Sequence, residues 1–226
     1  MKIFIKYFAI ILIVIVSAIS TNATQFKNPI NITFITDNNY ITQTRTAIKS
    51  IYANKYPQTQ IQIYIIGVGI SDSNIKKLTK ESRKNLNVNV IEMSPIKLSK
   101  FSGGSLLNPG VTGADNAKFF LTSVFENLDK ILYMDGDIIV LKDLSQLYNT
   151  ELGDEYIAAV DDWQSKWADD SNKRYFNNGI MLLNLKKMRE DNLEEKLKQA
   201  KLTDTQNRFC TQDAFNKVMF GHVKFL

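Results

Sequence analysis

Between Lys130 and Leu144 the chain reads KILYMDGDIIVLKDL, two apolar runs with Asp135-Gly136-Asp137 between them. No other stretch restricts the fold as strongly. A run such as Ile131–Met134 belongs in a buried strand, and a carboxylate at the end of a buried strand is costly unless its charge is neutralised. In a sheet of parallel strands that end is also where ligands bind. Asp135 and Asp137 are two residues apart, so a local turn has to bring both carboxylates to one point. Gly136 suits such a turn, by accepting unusual backbone angles or by letting a ligand lie close. Converging carboxylates offer hard oxygen ligands for Mg2+ or Mn2+, and such a cation suits a diphosphate. The plain alternative is an acidic turn that holds no ligand.

The rest of the chain supplies the sheet for that strand. Ile30–Thr36 reads as a strand ending in Asp37-Asn38-Asn39. Ile41–Ala53 reads as a helix with Ala47, Ile48 and Ile51 inward, and Ile61–Ile66 as a second strand. Ser71 or Asp72 starts a helix to about Arg83, and Val88–Ile91 is a short strand. The breakers of residues 99–113 predict a loop, and Ala114–Phe125 a helix. Strands at Ile157–Val160 and Gly179–Asn184 and a helix over Gln212–Val218 follow. Strands separated by helical patterns imply parallel pairing in an α/β sheet covered by helices. Neither an internal repeat nor a second domain is visible.

Further polar residues fall at strand ends. Asp37 and Asn39 follow the first strand, where a carboxylate can accept from a base N–H or can start a helix; for Asn38 the helix cap is the preferred reading. Asn177, Asn178 and Gly179 precede the apolar run Ile180–Leu183. Asn amides both donate to and accept from sugar hydroxyls, and Gly179 allows close backbone approach. A capped turn is the rival reading. Gln212 and Asp213 begin a helix, where capping competes with catalysis.

Charge and cysteine content exclude several classes. The net charge is +5, and two of the basic residues, Lys2 and Lys6, lie in the leader, too weak a balance to argue for nucleic acid. Cys210 is the single cysteine, so an internal disulfide framework is excluded. Residues 1–20 carry a basic start and an apolar run, with Ala18 and Ser20 spaced for cleavage. They read as a signal peptide, with a short membrane anchor as the rival. Residues 21–29 are a linker.

Taken together, ITFITDNNY, LDKILYMDGDIIVLKDLSQLYNTELGD, YFNNGIMLLNLKKMRE and QDAFNKV resemble the family 8 glycosyltransferases. These are retaining, sugar-nucleotide-dependent enzymes that include glycogenin and bacterial lipopolysaccharide galactosyl- and glucosyltransferases. The resemblance implies a GT-A fold, a single Rossmann-like, doubly wound, mostly parallel sheet over residues 30–226. It implies transfer of glucose or galactose from a UDP-hexose to an acceptor hydroxyl, on a glycan or a lipid-linked acceptor, with retention. By position, Asp37 and Asn39 would receive uridine, and Asp135 and Asp137 would ligate Mn2+ or Mg2+. Lys118 stands where the family has an arginine contacting the donor. Asp162, Asn177 and Gly179 would face the donor sugar, and Gln212 would lie beneath the anomeric carbon.

The chain departs from the family pattern in several places. The family's C-terminal His-x-x-Gly-x-x-Lys-Pro-Trp segment, which carries a third metal ligand, has no counterpart, so the domain reads as shortened at its C-terminal end. His222, the only histidine, lies in unmatched surroundings and reads as a core or surface residue. Thr211 replaces an aspartate before the glutamine, Gly110 stands near a donor-contacting histidine, and Asn116 and Lys118 replace tyrosine and arginine. These departures keep a second reading open: a GT-A domain that binds nucleotide, sugar or a partner protein without turnover. A dinucleotide fold is excluded at GVGIS, where Asp72 occupies the next required glycine position. An aspartyl phosphatase is disfavoured by Ile138 and Ile139 after the second aspartate. The leader predicts membrane association or the secretory pathway, whereas supply of a sugar nucleotide favours the cytoplasmic face of a bacterial membrane.

Overall fold

The protein is described here by a computed structural model covering residues 26–101, 113–162, 173–204 and 208–226. The leader, most of the 99–113 loop and Gly110 lie outside the described residues. Among the described residues, no helix is long and apolar enough to cross a membrane.

The chain runs β1 (Ile30–Thr36), α1 (Ile41–Asn54), β2 (Ile61–Val68), α2 (Asp72–Thr79), β3 (Leu86–Met93) and α3 (Pro95–Leu98). A 3-10 helix (Gly113–Phe120) leads into α4 (Leu121–Val124), β4 (Lys130–Met134) and α5 (Ser145–Tyr148). Then come β5 (Ile157–Asp161), β6 (Phe176–Asn184), α6 (Leu185–Glu190), α7 (Leu193–Leu202), α8 (Thr211–Met219) and β7 (Val223–Phe225). The described strands make one seven-stranded sheet in the order β3-β2-β1-β4-β6-β5-β7. Helices cover both faces, as the sequence predicts for a doubly wound α/β sheet.

Pairing is parallel for β1 with β2, β2 with β3, β1 with β4, and β5 with β7. The expectation of parallel strands fails at β6, which runs antiparallel to both β4 and β5. A run such as Ile-Met-Leu-Leu, buried from both sides, reads the same in either direction. β6 also starts three residues earlier than expected, at Phe176, so Asn177, Asn178 and Gly179 belong to the strand. The expected helix over Ala114–Phe125 is instead a 3-10 helix followed by one short α-turn. At that junction the Thr122 hydroxyl and the Ser123 N–H both donate to Glu194. α6 and α7 were not expected, although Leu185, Met188, Leu193, Leu197 and Ala200 supply their buried side chains.

Alternation along each strand separates two cores. One face holds Ile61, Ile63 and Ile65 of β2, Leu132 and Met134 of β4 and Leu182 of β6 beneath α1. The other holds Ile66, Ile131, Tyr133, Met181 and Leu183 beneath the 3-10 helix, α6, α7 and α8. Connections from β1 lead to β2 and β3 on one side, while β4 lies on the other. The sheet therefore reverses its winding between β1 and β4, and the carboxyl ends of these two strands are the switch point at which sheets of this kind bind ligands.

Candidate functional site

That switch point collects the acidic residues. Register pairs Thr33 with Tyr133, so Asp37 and Asp137 each follow their matched residue by four positions along parallel neighbours. The Asp37 carboxylate accepts from the N–H groups of Asn39 at 2.8 Å and Tyr40 at 3.3 Å, and so turns the chain into α1. Asn38 does not cap its own helix. Its amide donates to the Gly69 carbonyl at 3.0 Å and accepts from the Ser71 N–H at 3.0 Å, tying β1 to the start of α2.

The Asp-Gly-Asp turn is built by packing. The backbone of Gly136 is not in the left-handed region. A Cβ there would lie 2.7 Å from the Thr44 Oγ1 of α1, so glycine is required for contact with a helix, not for an unusual backbone angle. Thr44 in turn donates to the Thr36 hydroxyl at 3.0 Å. Asp135 extends the β4–β6 ladder, its N–H donating to the Gly179 carbonyl at 2.7 Å. A Cβ on Gly179 would sit 2.6 Å from Asp135 Oδ2 and 2.9 Å from Asn177 Oδ1, so only glycine leaves space for that carboxylate. Asp137 is exposed.

Around Asp135 stands a polar tier that the sequence reading largely missed. The Tyr133 hydroxyl donates to Asp135 Oδ1 at 2.5 Å. Lys118, only 3% exposed, points its ammonium at Asp115 Oδ1 (2.7 Å) and Asp135 Oδ1 (3.4 Å). A longer contact of 3.5 Å reaches Asn178 Oδ1. Burial alone would lower the Lys118 pKa, but the Asp115 and Asp135 carboxylates outweigh it and hold it above its usual value. Burial raises Asp115 as well, and Lys118 and the Thr211 hydroxyl reverse that, leaving it below the usual carboxylate range. Asp135 shifts the other way: burial, aided by Asp115 and Asp137, raises it against the pull of Lys118 and Tyr133.

The tier continues to the amides. Asn178 donates through Nδ2 to Thr211 Oγ1 at 2.9 Å, and its N–H donates to Gln212 Oε1 at 3.1 Å. Gln212 Nε2 donates to Asp162 Oδ2 at 3.1 Å, and Asn177 Nδ2 reaches the same oxygen at 3.5 Å. Asn177 Oδ1 accepts from the Gly179 N–H at 2.8 Å, closing the ring back to Asp135. Gln212 is therefore a bridge between β6 and Asp162, not a cap of α8. Asp213 accepts from the Tyr175 hydroxyl at 2.7 Å and from the Phe209 N–H at 2.9 Å, a structural role. Cys210, just before Thr211, has φ 52° and ψ −116°, a conformation rarely taken by a residue with a side chain. That backbone sets the direction from which Thr211 and Gln212 enter the site.

The structure thus joins Asp135, Lys118, Gly179, Asn177, Asp162 and Gln212 through consecutive contacts. Asp137 follows one residue beyond Gly136, and Asp37 and Asn39 end the neighbouring strand. His222 lies elsewhere, half exposed between Glu155 and the Tyr156 ring. Asp115, Tyr133, Asn178 and Thr211 are the residues not foreseen in these roles. Two spacings carried a signal: Asp115 precedes Lys118 by one 3-10 turn, and Tyr133 precedes Asp135 by two strand residues, hence on one face. Among the described residues, no group of three or more His, Cys, Asp or Glu side chains is arranged to hold a metal ion.

Comparison with known proteins agrees with this architecture. The family model for glycosyl transferase family 8 matches residues 31–226. A putative glycosyltransferase of Haemophilus influenzae is 27% identical over 205 residues, covering 87% of this chain and 61% of that protein. The lipopolysaccharide 1,2-glucosyltransferase of Escherichia coli is 26% identical over 211 residues, covering 87% of this chain and 60% of that protein. The galactosyltransferase LgtC, solved in complex with donor and acceptor sugar analogues, superposes with a TM-score of 0.77 at 26% identity. That match covers 87% of this chain and 73% of LgtC. The chain spans under two thirds of the length of the curated relatives it matches, from 61% down to 18% for the first three. With the model matched from the second residue of β1 to the last residue of the chain, the protein belongs to glycosyl transferase family 8.

Proposed function

We propose that this protein transfers glucose or galactose from a UDP-hexose to an acceptor hydroxyl with retention of configuration. The observation that carries this reading is the connected ring from Asp135 through Gly179, Asn177, Asp162 and Gln212 to Asn178 and Lys118, at the sheet's switch point. Similarity to a lipopolysaccharide glucosyltransferase and to a galactosyltransferase supports the choice of hexose. In this reading Asp37 and Asn39 receive the uridine. Asp162 and Asn177 bind sugar hydroxyls over Gly179, and Gln212 holds its amide beneath the anomeric carbon.

The donor set fits a hard divalent cation. Asp135 Oδ2 lies over the space that Gly179 leaves, and Asp137 is exposed beside it. Asp135 and Asp137 would hold Mn2+ or Mg2+, and the cation would supply positive charge to stabilise the leaving group. Lys118 supplies a second positive charge to the departing diphosphate. As the bond from the anomeric carbon to the phosphate oxygen breaks, its electron pair leaves with UDP. The acceptor oxygen bonds the anomeric carbon from the same face, and its proton passes to the departing diphosphate. The Asp162 carboxylate and the Gln212 amide oxygen favour the positive charge that develops on the ring. The acceptor is a glycan or lipid-linked hydroxyl, and the leader would hold the enzyme at a membrane, with the cytoplasmic face matching the supply of UDP-sugar.

Release of UDP from a panel of UDP-hexoses with Mn2+ tests the proposal, comparing the full chain with its Asp135→Asn, Asp137→Asn double variant. Release above the variant's background is expected. Among the described residues no group of three or more His, Cys, Asp or Glu side chains is arranged for a cation, an observation that favours the second reading of a nucleotide-binding domain without turnover. Mn2+-dependent UDP binding without UDP release would select that reading. UDP affinity indifferent to Mn2+ in both proteins would remove the metal site.

A further inference from the structure

Lys118 is the most deeply buried charged group of the site, yet its four-carbon stem has no rigidity of its own. Something must fix where its ammonium stands. Asp135 cannot be the fixture, because the donor-site reading requires that carboxylate to turn to a cation. The Asn178 amide oxygen is farther, at 3.5 Å, and the other carboxylate is Asp115, in the same 3-10 helix, at 2.7 Å. Its second oxygen is gripped from α8, where the Thr211 hydroxyl donates to Oδ2. Thr211 is in turn held by the Asn178 amide at 2.9 Å. The carboxylate is therefore anchored by two elements and cannot follow the amine outward.

We propose that Asp115 is the positioning residue of the donor site: braced by Thr211, it holds the Lys118 ammonium beside Asp135 and presents it to the donor diphosphate. The proposal rests on the donor-site reading above. One ammonium lies between two carboxylates, so the pocket tolerates a further positive charge at Asp135. When a cation takes Asp135, Lys118 keeps Asp115 and its freed N–H turns to a phosphate oxygen. The arrangement also accounts for Thr211. The carboxylate that the family pattern places immediately before the glutamine is supplied here by Asp115, and the threonine hydroxyl bonds to it.

The test uses the full chain and the variants Asp115→Asn, Lys118→Ala and the double variant Asp115→Asn, Thr211→Asp, which moves the carboxylate across the hydrogen bond to the other element. One readout is the acetylation rate of Lys118 by an N-hydroxysuccinimide ester, followed by peptide mass spectrometry with exposed Lys84 as reference. The other is affinity for UDP and for uridine in the presence of Mn2+. Asp115→Asn should raise Lys118 acetylation and weaken UDP, each by about tenfold, because a charge-assisted bond is lost. It should leave uridine unchanged, and Lys118→Ala should match it on UDP. The double variant should recover both protection and UDP affinity. Unchanged Lys118 reactivity and UDP affinity in Asp115→Asn would overturn the proposal. So would parallel loss of UDP and uridine that the double variant does not restore, since that is the mark of a merely structural residue. If Asp115→Asn does not fold, the double variant decides: Lys118 protected supports the proposal, Lys118 reactive overturns it. If the wild-type chain binds no UDP while Lys118 protection is lost and regained as stated, the donor-site reading falls and the positioning role stands.

Discussion

On one face of the sheet the core is aliphatic: Ile30, Ile32, Ile48, Ile51, Ile61, Ile63 and Ile65 are buried there, and among the described residues Phe34 is its only fully buried aromatic ring, with Tyr148 packed at its margin. On the other face the rings of Phe119, Phe120, Phe125, Tyr133, Phe176 and Phe215 fill the space. Lys118, Asn178, Thr211 and Gln212 are buried on that second side. The first face is covered by α1, a regular helix whose apolar residues recur at helical spacing. The second is covered by short pieces that change direction often, and each change leaves polar groups to be satisfied. Large rings span the gaps between such pieces, and the polar tier bonds them together. A smooth face makes a good wall; a broken one supplies the polar groups that a binding site needs.

The largest effect that would test this contrast is expected from Lys118→Met. It leaves two carboxylates without their shared counter-charge, and breaking a buried pair from one side costs about 3–5 kcal/mol. Urea unfolding should show that loss, with UDP affinity weakened about tenfold in the folded protein. A loss below ~1 kcal/mol would mean that the polar tier does not bind the second face together. Leu182→Ala, on the aliphatic face, should cost about 2–5 kcal/mol in the same assay and leave UDP affinity unchanged in the folded protein. Weakened UDP binding there would show that the two faces are not functionally separate. The smallest effect concerns Cys210. Burial, with the Asp115 carboxylate next in weight, pushes its thiol up to about 11. Between the ordinary thiol value of ~8.5 and that figure the unfolded chain loses a proton that the folded one keeps, so stability falls as pH rises through the interval. Iodoacetamide at mildly alkaline pH should therefore label Cys210 only as fast as the protein opens, and rapid labelling would show the thiol to be accessible.

The same contrast explains what could be read in advance. β1, α1, β2 and β4 follow from single-period patterns, and the Asp-Gly-Asp turn follows from the conflict between charge and its apolar flanks. The second face escapes such reading because its contacts join residues far apart in sequence. Asp115 meets Thr211 across 96 positions, and Asn178 meets Gln212 across 34. No local spacing announces such pairs. The helix expected at Ala114–Phe125 fails for the same reason: a carboxylate seventy-two positions away, Glu194, takes the Thr122 hydroxyl at the point where the geometry changes. Gly136 shows a different limit. Its presence is legible in the sequence, which offers backbone freedom or the close approach of a ligand as the reason; the backbone angle is ordinary, and the structure adds the closeness of Thr44.

The bond from the Asp135 N–H to the Gly179 carbonyl is the last rung of the β4–β6 ladder. It gives the acidic turn a lifetime. A loop residue opens and closes many times while the fold persists, whereas a rung in a central ladder opens with the cooperative unit that contains it. Asp135 is tied to that ladder at its end, opposite Gly179, and its amide should exchange with solvent more slowly than that of Asp137 in the turn beyond. The strand-borne part of the site is therefore expected to open with the sheet, whereas the turn that carries Asp137 can move without it.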